Sequence, residues 1–286
     1  MAGYERCVTT FIDIMGFKAL LARKKPDEIA RDLSRFRKFA QGDEPGEIRV
    51  MTDFTLQSRV HAEIVSDAIV RVRTTDTDYR DGALHWELLD LLHIQIQCID
   101  AGIILRGALK IGDMHVGDRF CGPIFGPALA DAYLMEENEV VYPMIAVAED
   151  SLMEQMRNPA LWREGNSQRD EVRQIERLLK EDDRGILFLD YLRAAYGEIG
   201  RRSADWIQFM ERHRDLIIRE LQAEHPDPVR VKYEWLRRYH NDTVSTAPQD
   251  FPGADAHDDA QGDILKSPEW SWLEDVRSGL LVPEEI

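Results

Sequence analysis

A chain of 286 residues with 36 basic and 53 acidic side chains carries a formal charge of −17, which disfavours a nucleic-acid surface because such a surface needs a basic face. The length suffices for one large domain, or one domain with an appendage, and the charge leaves room for a small anionic substrate in a local basic or metal-filled pocket. The three cysteines, Cys7, Cys98 and Cys121, lack metal-ligand spacing, no apolar run approaches the ~20 residues of a membrane span, and no secretory leader is expected, so a reducing, cytoplasmic setting without a membrane partner is predicted.

A strand is predicted over residues 5–13, because the run from Cys7 is apolar and β-branched, the pattern of a buried strand. Asp13 interrupts that pattern near its end, Gly16 follows, and a short helix is predicted from Phe17 to about Arg23. Pro26, Asp27 and Glu28 suit the first turn of a second helix. Ile29, Leu33, Phe36 and Ala40 then recur at helical spacing, and the stretch from Gly42 to Gly46 breaks the pattern. Residues 48–56 have β character. Val60–Val65 and Ala68–Val72, separated by Ser66 and Asp67, predict a hairpin with a two-residue turn. Leu84 to Ile99 reads as a long amphipathic helix with Gly102 as its C′ glycine. Ile103 to Ile111 reads as a strand carrying Arg106 and Lys110, followed by a loop over 112–122. Phe125-Gly126-Pro127 leads into a helix through Glu137, and Val140 to Val147 forms a further strand that Pro143 places toward an edge or a bend. The order β-α-β-β-α-β-α-β predicts an α+β domain over 1–150, with helices packed on a mainly antiparallel sheet.

Beyond Ser151 charged helices dominate, over 151–157, 167–181, 203–224 and 227–240, with short apolar pieces such as Ile186–Leu192 between them. A helical appendage is predicted over 151–241 and an acidic flexible linker over 242–267. A C-terminal docking segment is predicted over 268–286, with Trp270, Trp272 and Leu273 as its anchors.

A charge inside an apolar strand is costly unless something cationic pairs with it. For Asp13 a metal ion carrying a phosphate would serve, and the helix N-terminus that follows would offer N–H groups to an anion. The hairpin beside the first strand would bring Asp67 close. Mg²⁺ and Mn²⁺ take oxygen ligands, few of them from protein, and two ions about 4 Å apart can activate an attacking oxygen and stabilise a leaving one. The alternatives are that Asp13 caps a local turn and that Asp67 is an ordinary hairpin acid. The histidines are too irregularly spaced for zinc.

Phe11-Ile12-Asp13-Ile14-Met15-Gly16-Phe17 resembles the first metal motif of class III nucleotidyl cyclases, and Ser66-Asp67 is similar to their second, usually Gly-Asp. Arg106-Gly107, Gly112 and Gly126 to Glu136 fall where that family has its later strand and helix. Ser66–Val70, Phe125–Leu129, Ala132-Tyr133, Glu136, Tyr142-Pro143, Asp190–Leu192 and Lys232–Asn241 resemble the pyrimidine cyclases of bacterial Pycsar antiphage systems, a likeness covering about residues 5–241. The resemblance implies a ferredoxin-like βαββαβ core and a homodimer with sites between subunits. It further implies that Asp13, Asp67 and the Ile14 carbonyl hold two Mn²⁺ or Mg²⁺ ions. UTP would be converted to 3′,5′-cyclic UMP, with CTP as the runner-up, and a separate effector would sense the product during phage infection.

Substrate contacts are expected at Phe11, Gly16, Phe17, Lys18, Glu63 and Arg106, with Lys110 a further candidate cation and the N–H groups from Met15 to Lys18 cradling phosphates; the alternatives are that Glu63 is a hairpin surface acid and that Arg106 only braces the fold or the dimer. The family's ribose-holding Asn and transition-state Arg align with Ala130 and Leu134, and its adenine-selecting Lys with Glu63. A carboxylate there could accept from uracil N3–H or from the cytosine amine. A degenerate cyclase that only binds nucleotide or dimerises, and a palm-type polymerase, remain open on sequence alone.

Overall fold

The computed structural model describes residues 3–43, 49–50, 54–117, 123–199, 203–246 and 279–284. Two compact units divide the chain, Met1–Leu189 and Asp190–Ile286.

The first unit is mixed α+β. Its elements run β1 (Glu5–Ile14), α1 (Phe17–Arg23), α2 (Pro26–Ala40), β2 (Val60–Val65), β3 (Ala68–Thr74), α3 (Ala83–Asp100), β4 (Leu105–Met114), α4 (Pro127–Asn138) and β5 (Ile145–Val147). They continue as α5 (Glu149–Arg157), α6 (Gln168–Glu176), β6 (Leu179–Glu181) and β7 (Leu187–Leu189). The sheet order is β2-β3-β1-β4-β5-β7-β6, and every neighbouring pair is antiparallel except β4 with β5. The β2-β3-β1-β4 part is the ferredoxin-like βαββαβ arrangement expected from the sequence, and the parallel β5 follows the crossover through α4.

The register fixes two faces. Asp13 lies opposite Ala68 on one side and Arg106 on the other, and Phe11 lies opposite Val70 and Ala108. These residues share the face covered by α4, where Cys7, Val70, Val72, Met114, Ile124 and Ala128 form a core. Gly112 lets α4 approach, since a Cβ there would sit 2.7 Å from the Ala128 Cβ. The opposite face carries Arg71 and Arg73, both buried under α3. Each pairs with Glu87 and Asp90, and Arg49 joins them through Asp90. Helix α3 ends as its sequence predicts: Gly102 takes φ 74°, the Ile103 N–H donates to Cys98 and the Gly102 N–H to Ile99.

Four expectations shift. Strand β4 runs on through Gly112 to Met114, where a loop was expected, because Gly112 is the point of helix contact. The strand expected over 140–147 contracts to Ile145–Val147, and Tyr142-Pro143-Met144 turns instead, with the Met144 N–H on the Tyr142 carbonyl. The helix expected over 167–181 stops at Glu176 and gives way to β6. The sheet therefore extends past 150, and the division between units falls at Leu189. Cys7 and Cys98 are buried core thiols as expected, and burial pushes Cys7 up to about 12. Cys121 and the middle of 48–56 lie outside the described residues; Val50 and Thr55 form an isolated bridge.

The second unit contains α7 (Tyr191–Ile199), α8 (Ser203–Gln222) and α9 (Asp227–Thr246). Helix α9 takes up the first residues of the expected linker; the rest of it, with Trp270, Trp272 and Leu273, lies outside the described residues. Residues 279–284 pack on this unit: Leu280 and Val282 are buried, and Asn241 exchanges two hydrogen bonds with the Val282 backbone, both 2.9 Å. The core holds a polar chain. Tyr191 meets His213 Nε2 at 2.6 Å, His213 Nδ1 meets His240 Nδ1 at 2.8 Å, and His240 Nε2 meets the Leu280 carbonyl at 2.9 Å. A carbonyl only accepts, so His240 Nε2 carries the proton and its Nδ1 accepts from His213. His213 Nε2 then accepts from the Tyr191 hydroxyl. No helix among the described residues is long and apolar enough to cross a membrane.

Candidate active site

The candidate site lies at the end of β1 that leads into α1. Strand alternation and register put Asp13 between Ala68 and Arg106, half-buried, on the α4 face. Asp67 is the second residue of the β2–β3 turn, and its carbonyl accepts from the Ile14 N–H at 3.2 Å. Two acids 54 positions apart in sequence thus sit at one end of adjacent strands. The turn is tight: Ser66 takes φ 58°, a conformation that favours glycine.

Arg106 is a cation at this end of the sheet. Its Nη2 lies 3.5 Å from Asp13 Oδ2 and in direct contact with Glu136 Oε1, while Nη1 donates to the Val140 carbonyl at 3.3 Å. Glu136 is only 3% exposed and comes from the buried stripe of α4, Ala128–Ala132–Glu136. Sequence reasoning gave Glu136 no role. The signal was available, because a carboxylate on an apolar helical stripe raises the same question as Asp13 in an apolar strand.

The expected substrate contacts fall into groups. Phe11 is two residues from Asp13 on the same face and packs edge-on against Tyr133 of α4, with ring centroids 5.3 Å apart. Glu63 on β2 lies opposite Val70, which lies opposite Phe11, so it shares that face too. Glu63 Oε1 accepts from the Ile124 N–H at 3.1 Å and lies 3.9 Å from His61. Gly16 takes φ 73° as the N-cap of α1, and Phe17 and Lys18 begin that helix, Lys18 exposed. The expected phosphate cradle is shorter than predicted. The Met15 N–H is committed to the Ile104 carbonyl at 2.9 Å, so only Gly16, Phe17 and Lys18 are left to supply it. Lys110 does not join the site, because it pairs with Asp150. Ala130 and Leu134 are exposed on α4 and supply no polar group.

Among the described residues no group of three or more His, Cys, Asp or Glu side chains could hold a metal ion. The donors expected from the sequence, the Asp13 and Asp67 carboxylates and the Ile14 carbonyl, would all be hard oxygens. That fits Mg²⁺ or Mn²⁺, which keep waters and take substrate phosphates as remaining ligands, and does not fit zinc.

The fold is thus an α+β sheet with Asp13 and Asp67 at one end of it. Among solved structures, the chain is similar to the monomeric guanylyl cyclase domain of a RhoGC fusion protein from the aquatic fungus Blastocladiella emersonii, at 14% identity over 65% of this chain and 95% of that one, with a TM-score of 0.39. It is also similar to the catalytic core of a rhodopsin-guanylyl cyclase with converted specificity, solved in complex with ATPαS, at 17% identity over 65% and 96% of the two chains, with a TM-score of 0.40. At such scores the strand order and register, rather than these likenesses, define the fold. No protein-family model and no curated protein matches the chain.

Proposed function

We propose that the chain is a pyrimidine nucleotide cyclase that converts UTP to 3′,5′-cyclic UMP and pyrophosphate. The observation that supports this reading is the meeting of the Asp13 and Asp67 strand ends, joined by the Ile14–Asp67 backbone bond. Asp13, Asp67 and the Ile14 carbonyl would hold two Mg²⁺ or Mn²⁺ ions. Bound there, the ions would lower the pKa of the ribose 3′-OH and neutralise charge on the departing pyrophosphate.

Each protein group has a matching task. The 3′-oxygen forms its bond to the α-phosphorus as the bond to the bridging oxygen of the β-phosphate breaks, and the hydroxyl proton passes to solvent. Lys18 and the first-turn N–H groups of Gly16, Phe17 and Lys18 would bind the phosphates. Glu63, with Oε1 on Ile124, would offer Oε2 to uracil N3–H. Phe11 and Phe17 would flank the nucleotide. The resemblance supports a cytoplasmic homodimer whose second copy completes the site, and a product that alerts a separate effector during phage infection.

Incubating the purified protein with all four nucleoside triphosphates and Mn²⁺, then weighing the products by mass spectrometry, tests the reading. Cyclic UMP is expected, and Asp13→Ala and Asp67→Ala should each abolish it while leaving the fold intact. Cyclic CMP would move the substrate to CTP. A second reading, a nucleotide-binding module without turnover, is favoured by the apolar Ala130 and Leu134 on α4; binding of UTP without release of pyrophosphate would establish it.

A further inference from the structure

Arg106 stands between two carboxylates of unlike setting. Asp13 is on the strand end, its side chain 22% exposed; Glu136 is on α4 and buried, its side chain 3% exposed. The guanidinium leans on Glu136 and on the Val140 carbonyl, and reaches Asp13 only at 3.5 Å, the outer limit of a hydrogen bond. A cation arriving at Asp13 must compete with that guanidinium, because both need the same carboxylate oxygens and repel one another. Helix α4 supplies the same Nη2 with a second and closer carboxylate.

We propose that Glu136 is a positioning residue that draws Arg106 away from Asp13 and so sets the affinity of the strand-end carboxylates for divalent ions. The inference rests on the two-carboxylate reading above and deepens it. It gives Arg106 a task beyond any phosphate contact: it balances the charge of Asp13 until the ion arrives, and Glu136 then retains it. It also couples α4, which covers this face of the sheet, to the state of the metal-binding strand.

The test is a double-mutant cycle read on Mn²⁺ binding to the nucleotide-free full-length protein, by electron paramagnetic resonance of the unbound ion. In Glu136→Gln the guanidinium keeps Asp13 as its carboxylate partner, and Mn²⁺ binding should weaken about tenfold, a change of ~1.4 kcal/mol. Arg106→Gln should tighten it. With Arg106 already replaced, adding Glu136→Gln should change affinity less than about twofold, because non-additivity is what separates direct competition from a diffuse field. Glu136→Asp should restore binding toward the wild-type value, and circular dichroism should show every variant folded. Additive effects would overturn the proposal, as would Arg106→Gln binding Mn²⁺ no more tightly than wild type; that second result stands even if Glu136→Gln does not fold. Asp13→Ala separates the two levels of inference. If it binds Mn²⁺ as well as wild type, the two-carboxylate reading fails and takes this one with it. If it loses Mn²⁺ while Glu136 and Arg106 variants leave binding unmoved, only the positioning role falls.

Discussion

The second unit should lose stability in mild acid, and the histidine pair sets the amount. His213 and His240 are both fully buried, their rings stacked 5.0 Å apart. Burial pushes His240 down to about 4, with the nearby Arg214 charge adding to the shift and the bond to Leu280 opposing it. Burial and the facing His240 also push His213 well below the ordinary histidine value. Tyr191, Tyr239 and Asp190 complete the surroundings, and burial raises both tyrosines well above the usual phenol range, so they stay neutral. In the unfolded chain both histidines titrate near 6.5. Below that pH the unfolded state binds more protons, so stability is fully present above 6.5 and falls as pH drops toward 4. A depression from 6.5 to about 4 for His240 corresponds to on the order of 3 kcal/mol, of which about 2 kcal/mol is gone by pH 5; His213 adds a loss of the same sign. Hydrogen exchange read by mass spectrometry follows α9 and residues 279–284 separately from the sheet. Corrected for intrinsic rates, protection there should fall from pH 7.5 to pH 5, and the Val282 N–H, which is held by Asn241, should be among the groups affected. Flat protection across that range would refute the argument, as would an equal slope with both histidines replaced by leucine and phenylalanine.

Three substitutions in the first unit probe other parts of the fold. Glu87→Gln leaves Arg71 and Arg73 buried with Asp90 as their remaining carboxylate partner, and should cost about 3 kcal/mol in urea unfolding. Gly112→Val pushes a side chain into Ala128, 2.7 Å from the nearest added atom; displacement of α4 should cost about 1–3 kcal/mol and lower turnover as well. Gly16→Ala meets open space but keeps φ 73°, so its cost of about 1 kcal/mol is backbone strain alone; on the proposed function the Michaelis constant for nucleotide should rise because the start of α1 shifts.

Periodicity carried the first unit well where one face of an element is buried. The β1 run, the hairpin read as Val60–Val65 and Ala68–Val72, and α3 with its Gly102 cap each fold within two residues of their expected bounds. The misses fall where a neighbour distant in sequence decides the outcome. Gly112 marks helix contact rather than a chain break, and the Pro143 segment turns instead of extending. Residues 179–181 are a strand because β7 is there to pair with them, and no local pattern records that partner. At the candidate site, the nearness of Asp13 and Asp67 followed from the hairpin, whose turn falls between Val65 and Ala68. The bond that takes the Met15 N–H, the Lys110–Asp150 pair and the Arg106–Glu136 contact all depend on residues far along the chain. None of them is visible in a local window.

A charged residue on an apolar strand was the strongest signal in the sequence, and the two faces of the sheet give it different meanings. On the α3 face, Arg71 and Arg73 are matched by Glu87 and Asp90, Arg71 also donates to the Ala40 and Gln41 carbonyls, and the helix closes over them. Such a cluster is fixed in place, since removing any member leaves a buried charge. On the α4 face, Asp13 shares its guanidinium with a better-placed competitor and retains contact with solvent. On the proposed reading Asp13, whose counter-ion is shared, exchanges that partner for an ion, whereas Glu87 is locked between two buried guanidinium groups. The two faces therefore differ in how the counter-ion is divided, not in the presence of a charge in the strand.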